Sequence, residues 1–281
     1  MKIKGLNKNF LLFMKYRYWL ACFCILFAAD RGFGGTAPDH MQLFLLIGQS
    51  NMAGRGKVEP QDEVTNPQIY MLAKDGQWVL AKDPVHFDKP VAGVGLGLEF
   101  ARQIVAANPK TTVGLIPCAM GGSSLDQWKP GGTLYSNAVA RTRVAMTNGT
   151  LAGILWHQGE SDSSHGKVVT YGERFAAMIG QLRKDLTAEN IPVIVGELGR
   201  FRVASAEFNA ALPEVVRRMP RCACVTVRRS FRQGRPFALR FGIATDSGAT
   251  ICCRFLEAEL RCPQIAILAA LAAASFFRLY A

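Results

Sequence analysis

Cysteine and histidine are scarce in most of this sequence. The chain contains eight cysteines, but Cys118 is the only one between residues 30 and 221. A disulfide framework therefore does not hold that region together. All four histidines lie at or before His165, and no internal repeat or low-complexity linker is present. A chain of 281 residues, 49% of them hydrophobic, instead predicts one domain with a full core plus terminal extensions.

The net charge of +12 is unevenly distributed along the chain. Residues 1–29 carry five basic residues and no acidic one, and arginine dominates again after Val225. Because little net charge remains between these two segments, the folded domain does not present the concentrated positive surface that phosphate binding requires. We expect no nucleic-acid partner.

The N-terminus lacks an apolar stretch long enough to span a bilayer comfortably. A basic stretch ends at Arg17, an apolar run covers residues 19–29, and polar and glycine-rich residues follow from Asp30. This order is typical of a secretory signal peptide, with cleavage predicted near Ala28 and Ala29. We expect residues 1–29 to be removed, the protein to be secreted or periplasmic, and no stable membrane span. An uncleaved anchor is the alternative.

Short apolar runs alternate with segments of helical periodicity. Uninterrupted runs fit strands buried on both faces of a parallel sheet, so the alternation predicts a flavodoxin-like three-layer α/β/α sandwich. About five parallel strands are predicted, at residues 41–47, 113–119, 154–156, 193–195 and 222–227. Helices are predicted at residues 96–107, 135–146, 171–186 and 206–219. Residues 55–93 have no clear periodicity and are interpreted as a long excursion over the active-site end.

Three polar clusters directly follow predicted strands. They are residues 48–52 (GQSNM), 121–124 (GGSS) and 157–162 (HQGESD). Ligands of open parallel sheets bind beyond the carboxyl ends of the strands. Three consecutive clusters therefore predict a shared site at that edge of the sheet.

Ser50 is the candidate nucleophile of this site. A serine hydroxyl needs a base to take its proton, and the tetrahedral intermediate needs donors for its oxyanion. Suitable donors are the N–H of Ser50, a glycine N–H at Gly121 or Gly122, and the side-chain amide of Gln158. A serine after a strand is more often a turn or helix-capping residue. The turn also differs from the α/β-hydrolase nucleophile elbow, because Met52 stands where that motif needs glycine.

The three clusters resemble those of the SGNH-hydrolase superfamily, in its sialate O-acetylesterase and acetylxylan esterase group. Residues 45–56 (LLIGQSNMAGRG) are similar to the first block of that group, and residues 121–128 (GGSSLDQW) to the second. Residues 156–162 (WHQGESD) are similar to the third, where glutamine replaces the superfamily asparagine. The resemblance implies a carbohydrate acetylesterase domain at residues 30–225 that acts through an acyl-serine intermediate.

The resemblance also implies a role for each position. Ser50 would be the nucleophile, and its N–H, Gly121 or Gly122, and Gln158 would form the oxyanion hole. The supporting residues would be Gln49, Asn51 and Glu160. The partner would be an acetylated carbohydrate, with no metal and no organic cofactor.

The acid and base of the triad are missing from the sequence. The group's pattern ends in an Asp-x-x-His block, but no histidine follows His165. We expect His157 to be a packed, hydrogen-bonded residue and His165 to be a solvated surface residue. His40 and His86 show no informative spacing.

A shift of reading frame accounts for the missing block. Residues 235–241 (RPFALRF) can be encoded by codons that, read one nucleotide later, give Asp-His-Leu-His-Phe-Asp. We therefore interpret residues 226–281 as an atypical, frameshifted tail that impairs catalysis. A divergent C-terminal module is the alternative, although its apolar run at residues 265–277 is short for a membrane span.

Two functions of other classes stay open. A catalytically silent carbohydrate-binding protein agrees with the absent histidine. A flavodoxin-like nucleotide or flavin binder is disfavoured, because the first loop lacks a glycine run that would cradle phosphate.

Overall fold

The computed structural model describes residues 38–200 and 203–225, together with 240–241, 243–244 and 272. The predicted signal peptide and most of the predicted tail lie outside the described residues. Within the part of the chain that is described, no helix has the length and apolar character needed to cross a membrane.

A seven-stranded sheet forms the centre of the described domain. In chain order its strands are β1 Met41–Gly48, β2 Ile69–Leu72, β3 Trp78–Leu80, β4 Val113–Pro117, β5 Gly149–His157, β6 Val193–Gly196 and β7 Cys222–Val225. Their spatial order is β3-β2-β4-β1-β5-β6-β7. All neighbouring strands pair in parallel except β2 and β3, which are antiparallel. The predicted α/β sandwich is confirmed, and all five predicted strands are present.

The edge hairpin formed by β2 and β3 corrects one prediction. Both strands lie in residues 55–93, which we interpreted as a long excursion over the active-site end without clear periodicity. With four and three residues, they are too short for a period-2 pattern to be visible. Their position depends on pairing with β4, which is a long-range contact that local periodicity does not report.

Helices cover both faces of this sheet. The described α-helices are α1 Ser50–Ala53, α2 Leu96–Ala107, α3 Thr133–Ala145, α4 His165–Asp185 and α5 Ser205–Arg217. Helices α2, α3, α4 and α5 match the four predicted ones, although α4 starts earlier than predicted. The short α1 carries the first polar cluster.

Strand β1 contributes to two cores, one on each face of the sheet. Leu45 packs with Phe175 and the helices α3, α4 and α5, whereas Phe44 packs with Phe100 of α2. The rings of Phe44 and Phe100 meet edge to face at 4.9 Å. Ala272 is buried in the second of these cores. Successive strand residues point to opposite faces, so β1 is held on both sides and its carboxyl end is rigidly placed.

Candidate active site

The carboxyl ends of β4, β1 and β5 lie side by side, so the three polar clusters meet at one edge. The backbone N–H of Gln49 donates to His157 O at 2.9 Å, and the N–H of Met120 donates to Gly48 O at 3.0 Å. These bonds join the first cluster to the third and to the segment that leads into the second. The shared edge predicted from the sequence is present in the structure.

Gly48 allows β1 to approach β5 at this edge. Its φ is +138°, and a Cβ atom at this position would lie 2.2 Å from His157 O. Any other residue would collide with a backbone atom that cannot move without distorting β5. The first cluster therefore begins with a glycine for a steric reason.

Ser50 is the first residue of α1 and is partly exposed. Among the described residues its hydroxyl has no hydrogen-bond partner. This isolation agrees with the sequence, in which no histidine follows His165. The hydroxyl is accessible, but no described base contacts it.

Asn51 and Glu160, two predicted supporting residues, are in direct contact. The amide nitrogen of Asn51 donates to Glu160 Oε1, which joins α1 to the short 3-10 helix Glu160–Asp162. Ser161 of that helix also donates through its hydroxyl to Gly122 O at 3.3 Å. The structure therefore links all three clusters through the third.

The two glycines that could donate a backbone N–H to the oxyanion differ in whether that N–H is already engaged. The N–H of Gly121 donates to Asp88 Oδ2 at 2.8 Å, and the same oxygen lies 2.8 Å from Arg55 Nη2. Burial raises the pKa of Asp88, but its hydrogen bonds to Arg55 and Gly121 outweigh this effect and hold the pKa below its usual value. Gly122 is exposed, and in the described chain its N–H has no partner. The N–H of Gly122 is thus the available one.

Gln158 is fully buried, with both ends of its amide engaged. Its nitrogen Nε2 lies 2.6 Å from Asp162 Oδ2, 3.2 Å from Gln49 Oε1 and 3.2 Å from Ser123 O. Its oxygen accepts from the Tyr171 hydroxyl at 3.0 Å. The Gln158 amide contacts the side chain of Gln49, the residue before Ser50. The role of Gln158 as an oxyanion donor stays a prediction.

His157 is packed and hydrogen-bonded, as predicted. It is fully buried, with Nε2 3.1 Å from Glu197 O, and burial lowers its pKa to about 3. His165 is the first residue of α4. His86 is also buried, and burial likewise lowers its pKa to about 3. Neither buried imidazole is suited to take a proton from Ser50 near neutral pH.

Sequence analysis missed four residues that build this edge. Asp88 lies in the segment without periodicity, and Arg55, although it belongs to the first block, has no spacing that pairs it with Asp88. Asp162 belongs to the third cluster, and its Oδ2 also accepts from the N–H of Leu125 at 2.8 Å. Its place in the third block, two residues after Glu160, is the sequence signal that could have identified it. The fourth is Tyr171, which a helical pattern alone identifies only as a core residue.

Within the described residues, no group of three or more His, Cys, Asp or Glu side chains could hold a metal ion.

A doubly wound sheet with a serine at the end of its first strand and two further polar loops beside it is the arrangement of SGNH-type hydrolases. Residues 40–233 match the family model for carbohydrate esterase, sialic acid-specific acetylesterase. The chain belongs to this family.

Known proteins agree with this assignment. A protein of Arabidopsis thaliana named "Probable carbohydrate esterase" is 35% identical over 175 residues, which is 54% of this chain and 67% of the relative. The X-ray structure of that Arabidopsis protein has a TM-score of 0.63 and 27% identity, and covers 85% of this chain and 99% of its own. NanS shares the fold at 17% identity and a TM-score of 0.59, covering 86% and 98%.

Proposed function

We propose that this protein is a serine esterase that hydrolyses O-acetyl esters on carbohydrates. Membership of the carbohydrate esterase family supports the substrate class, and the partly exposed Ser50 at the edge where the three clusters meet supports the nucleophile. An acetylated sialic acid or acetylated xylan is the expected type of substrate. We further propose that the protein is secreted or periplasmic.

The proposed reaction has two steps. Ser50 Oγ bonds to the acetyl carbonyl carbon, the bond from that carbon to the sugar oxygen breaks, and the serine proton passes by way of a base to the sugar oxygen. The oxygen of a water molecule then bonds to the acyl carbon, the bond from that carbon to Ser50 Oγ breaks, and a proton of the water returns to Oγ as acetate is released. N–H donors stabilise the oxyanion in both steps.

The chain has no residue in the position of the catalytic base that this reaction needs. In the family pattern it is the histidine of the Asp-x-x-His block, and this sequence has no histidine after His165. We therefore propose that the chain is impaired, with only the residual catalysis that donors and binding supply.

The nucleophile is tested with p-nitrophenyl acetate and the Ser50→Ala variant. A frame-corrected protein should hydrolyse this ester and lose nearly all of that activity in Ser50→Ala. If the variant retains most of the activity, Ser50 is not the nucleophile. If the frame-corrected protein binds acetylated sugars but hydrolyses none, a silent carbohydrate-binding protein is the better description.

A further inference from the structure

Asp162 is a fully buried carboxylate that holds residues of two polar clusters. Its Oδ2 accepts from the backbone N–H of Leu125, directly after the second cluster, at 2.8 Å. The same oxygen lies 2.6 Å from Nε2 of Gln158 in the third cluster. An ionised carboxylate can only accept hydrogen bonds, so it orients both N–H groups. The two clusters therefore keep their arrangement only while Asp162 keeps its position and charge.

Arg174 of α4 supplies a positive charge next to this carboxylate. Its Nη2 lies 3.7 Å from Asp162 Oδ1, an oxygen that has no hydrogen bond within the described residues. In the same part of the chain, no other basic side chain pairs with Asp162. A carboxylate that is removed from water is costly unless an opposite charge compensates for it. The ionised state of Asp162 therefore depends on Arg174.

The same guanidinium also reaches the second cluster's neighbouring 3-10 helix. Its Nη1 donates to Asp126 Oδ1 at 2.6 Å, and Asp126 belongs to the 3-10 helix Leu125–Trp128. Asp162 ends the other 3-10 helix, Glu160–Asp162. A guanidinium is planar and its donors form a rigid fork. One arginine thus holds the two short helices at a set distance from each other.

This bridge supports two of the predicted oxyanion donors. Gly122 lies three residues before Leu125, and Gln158 contacts Asp162 directly. A displacement of Asp162 would release the N–H of Leu125 and the amide of Gln158 together. Because oxyanion donors act only over a narrow range of distances, even a small displacement should weaken catalysis.

We propose that Arg174 is a positioning residue of the esterase site. It holds Asp162 and thereby fixes the loop of Gly122 and the amide of Gln158 relative to each other. It acts through Asp162 and needs no contact with the substrate. This inference rests on the proposed function, because only a reaction at Ser50 makes use of these donors.

Arg174→Ala tests the proposal in the chain as it exists. The measured quantity is the Ser50-dependent hydrolysis of p-nitrophenyl acetate, which is the rate of the protein minus the rate of the same protein with Ser50→Ala. We expect kcat to fall about 100-fold, the size of effect that a misplacement of about 1 Å produces, with little change in KM. An unchanged kcat, or a loss confined to KM, would overturn the proposal.

Arg217→Ala is the matched control. Arg217 lies on α5, its side chain is 50% exposed, and it pairs with the exposed Glu214 at 2.7 Å. Its kcat should equal that of the parent. Arg174→Lys keeps a positive charge but cannot form the fork to both carboxylates, so its kcat should lie between those of Arg174→Ala and the parent. A kcat of Arg174→Lys as low as that of Arg174→Ala would contradict the role of the charge.

Methylguanidinium distinguishes positioning from a general loss of stability. The side chain of Arg174 is 31% exposed, so its place is open to solvent. Methylguanidinium chloride at low millimolar concentration should restore part of the kcat of Arg174→Ala. Tetramethylammonium chloride at the same concentration should not, because it has no N–H to donate. Equal recovery with both salts, or recovery with neither, would overturn the proposal.

Ser50→Ala separates the two possible failures. If Ser50→Ala leaves the rate of the parent unchanged, the proposed function is wrong. If Ser50→Ala abolishes the rate but Arg174→Ala retains it, the function stands and the role of Arg174 is wrong.

Discussion

Asp88 Oδ2 accepts a hydrogen bond from the backbone N–H of Gly121 at 2.8 Å, and its side chain is fully buried. The bond ties the long segment between α1 and α2 to the second polar cluster. Arg55, whose side chain is 26% exposed, neutralises the carboxylate at 2.8 Å. The loop that carries Gly121 thus depends on a charge far from it in sequence.

We expect Asp88→Ala to destabilise the protein by about 2–3 kcal/mol, because it leaves the Gly121 N–H without its acceptor and the Arg55 guanidinium without its carboxylate partner. Denaturant unfolding measures this difference. Asp88→Asn should cost less, since an amide oxygen can still accept from Gly121. As a control, Glu214→Ala breaks the exposed pair with Arg217 and should change stability little. Equal effects of the two alanine variants would show that Asp88 has no special structural role.

Gly48→Ala tests the close approach of β1 to β5. A methyl group would lie 2.2 Å from His157 O, at a φ of +138° that other residues rarely adopt. We expect a loss of several kcal/mol, beyond the cost of ordinary core substitutions, or failure to fold. Gly180→Ala, in α4 with open space at its Cβ position, should instead stabilise by about 0.5–1 kcal/mol. Thermal unfolding of both variants makes the comparison.

The sequence predicts most of the sheet because its central strands are buried on both faces. Strand β1 after Gln42 and strand β6 appear as uninterrupted apolar runs, and the resemblance assigns Ser50, Asn51 and Glu160 to one site. Asp88 and Tyr171 are not predictable in this way. Their functions depend on partners more than ten residues away, and a single carboxylate or tyrosine has no pattern that reports such a partner. The β2–β3 hairpin is not predictable for the same reason, because its position depends on the long-range pairing of β2 with β4.

Asp83 provides a pH-dependent prediction. It is buried, its Oδ1 accepts from the N–H of Gly95 at 3.4 Å, and burial together with the charge of Asp62 raises its pKa to about 6. Because the folded state holds this proton more tightly than the unfolded state, ionisation of Asp83 destabilises the fold as the pH rises from about 4 to 6. The rise of the Asp83 pKa from 3.8 to about 6 corresponds to about 3 kcal/mol.

Asp83→Asn isolates this effect. Asparagine resembles the protonated acid, so the stability of the parent relative to the variant should fall by up to about 3 kcal/mol between pH 4 and 6 and stay constant above. Denaturant unfolding across this range measures it. Asp88→Asn should show the opposite trend, because the pKa of Asp88 is lowered and its stabilisation is lost as the pH falls. A parent-to-variant difference that does not depend on pH would contradict the assignment to Asp83.

A frameshift and a divergent C-terminal module predict different properties for a protein whose tail after Val225 is corrected. The family match ends at residue 233, just before the position where a shifted frame restores Asp-x-x-His. We predict that the frame-corrected protein hydrolyses p-nitrophenyl acetate several orders of magnitude faster than the chain that carries residues 226–281, because a missing triad member leaves only residual catalysis. Its thermal midpoint should also be higher, since a restored terminal helix would cover apolar area of the sheet.

Equal hydrolysis rates for the frame-corrected protein and for the chain that carries residues 226–281 would contradict this prediction and would require another base. His157 is an unsuitable one, because its imidazole is fully buried with a pKa of about 3 and Nε2 lies 3.1 Å from Glu197 O. His165, at the start of α4, would then be the residue to replace, and loss of activity in His165→Ala would identify it. Unequal rates that become equal when the restored histidine is changed to alanine would instead assign the whole difference to the Asp-x-x-His block. That second substitution is decisive, because it separates the chemistry of the histidine from any gain in stability that the corrected tail provides.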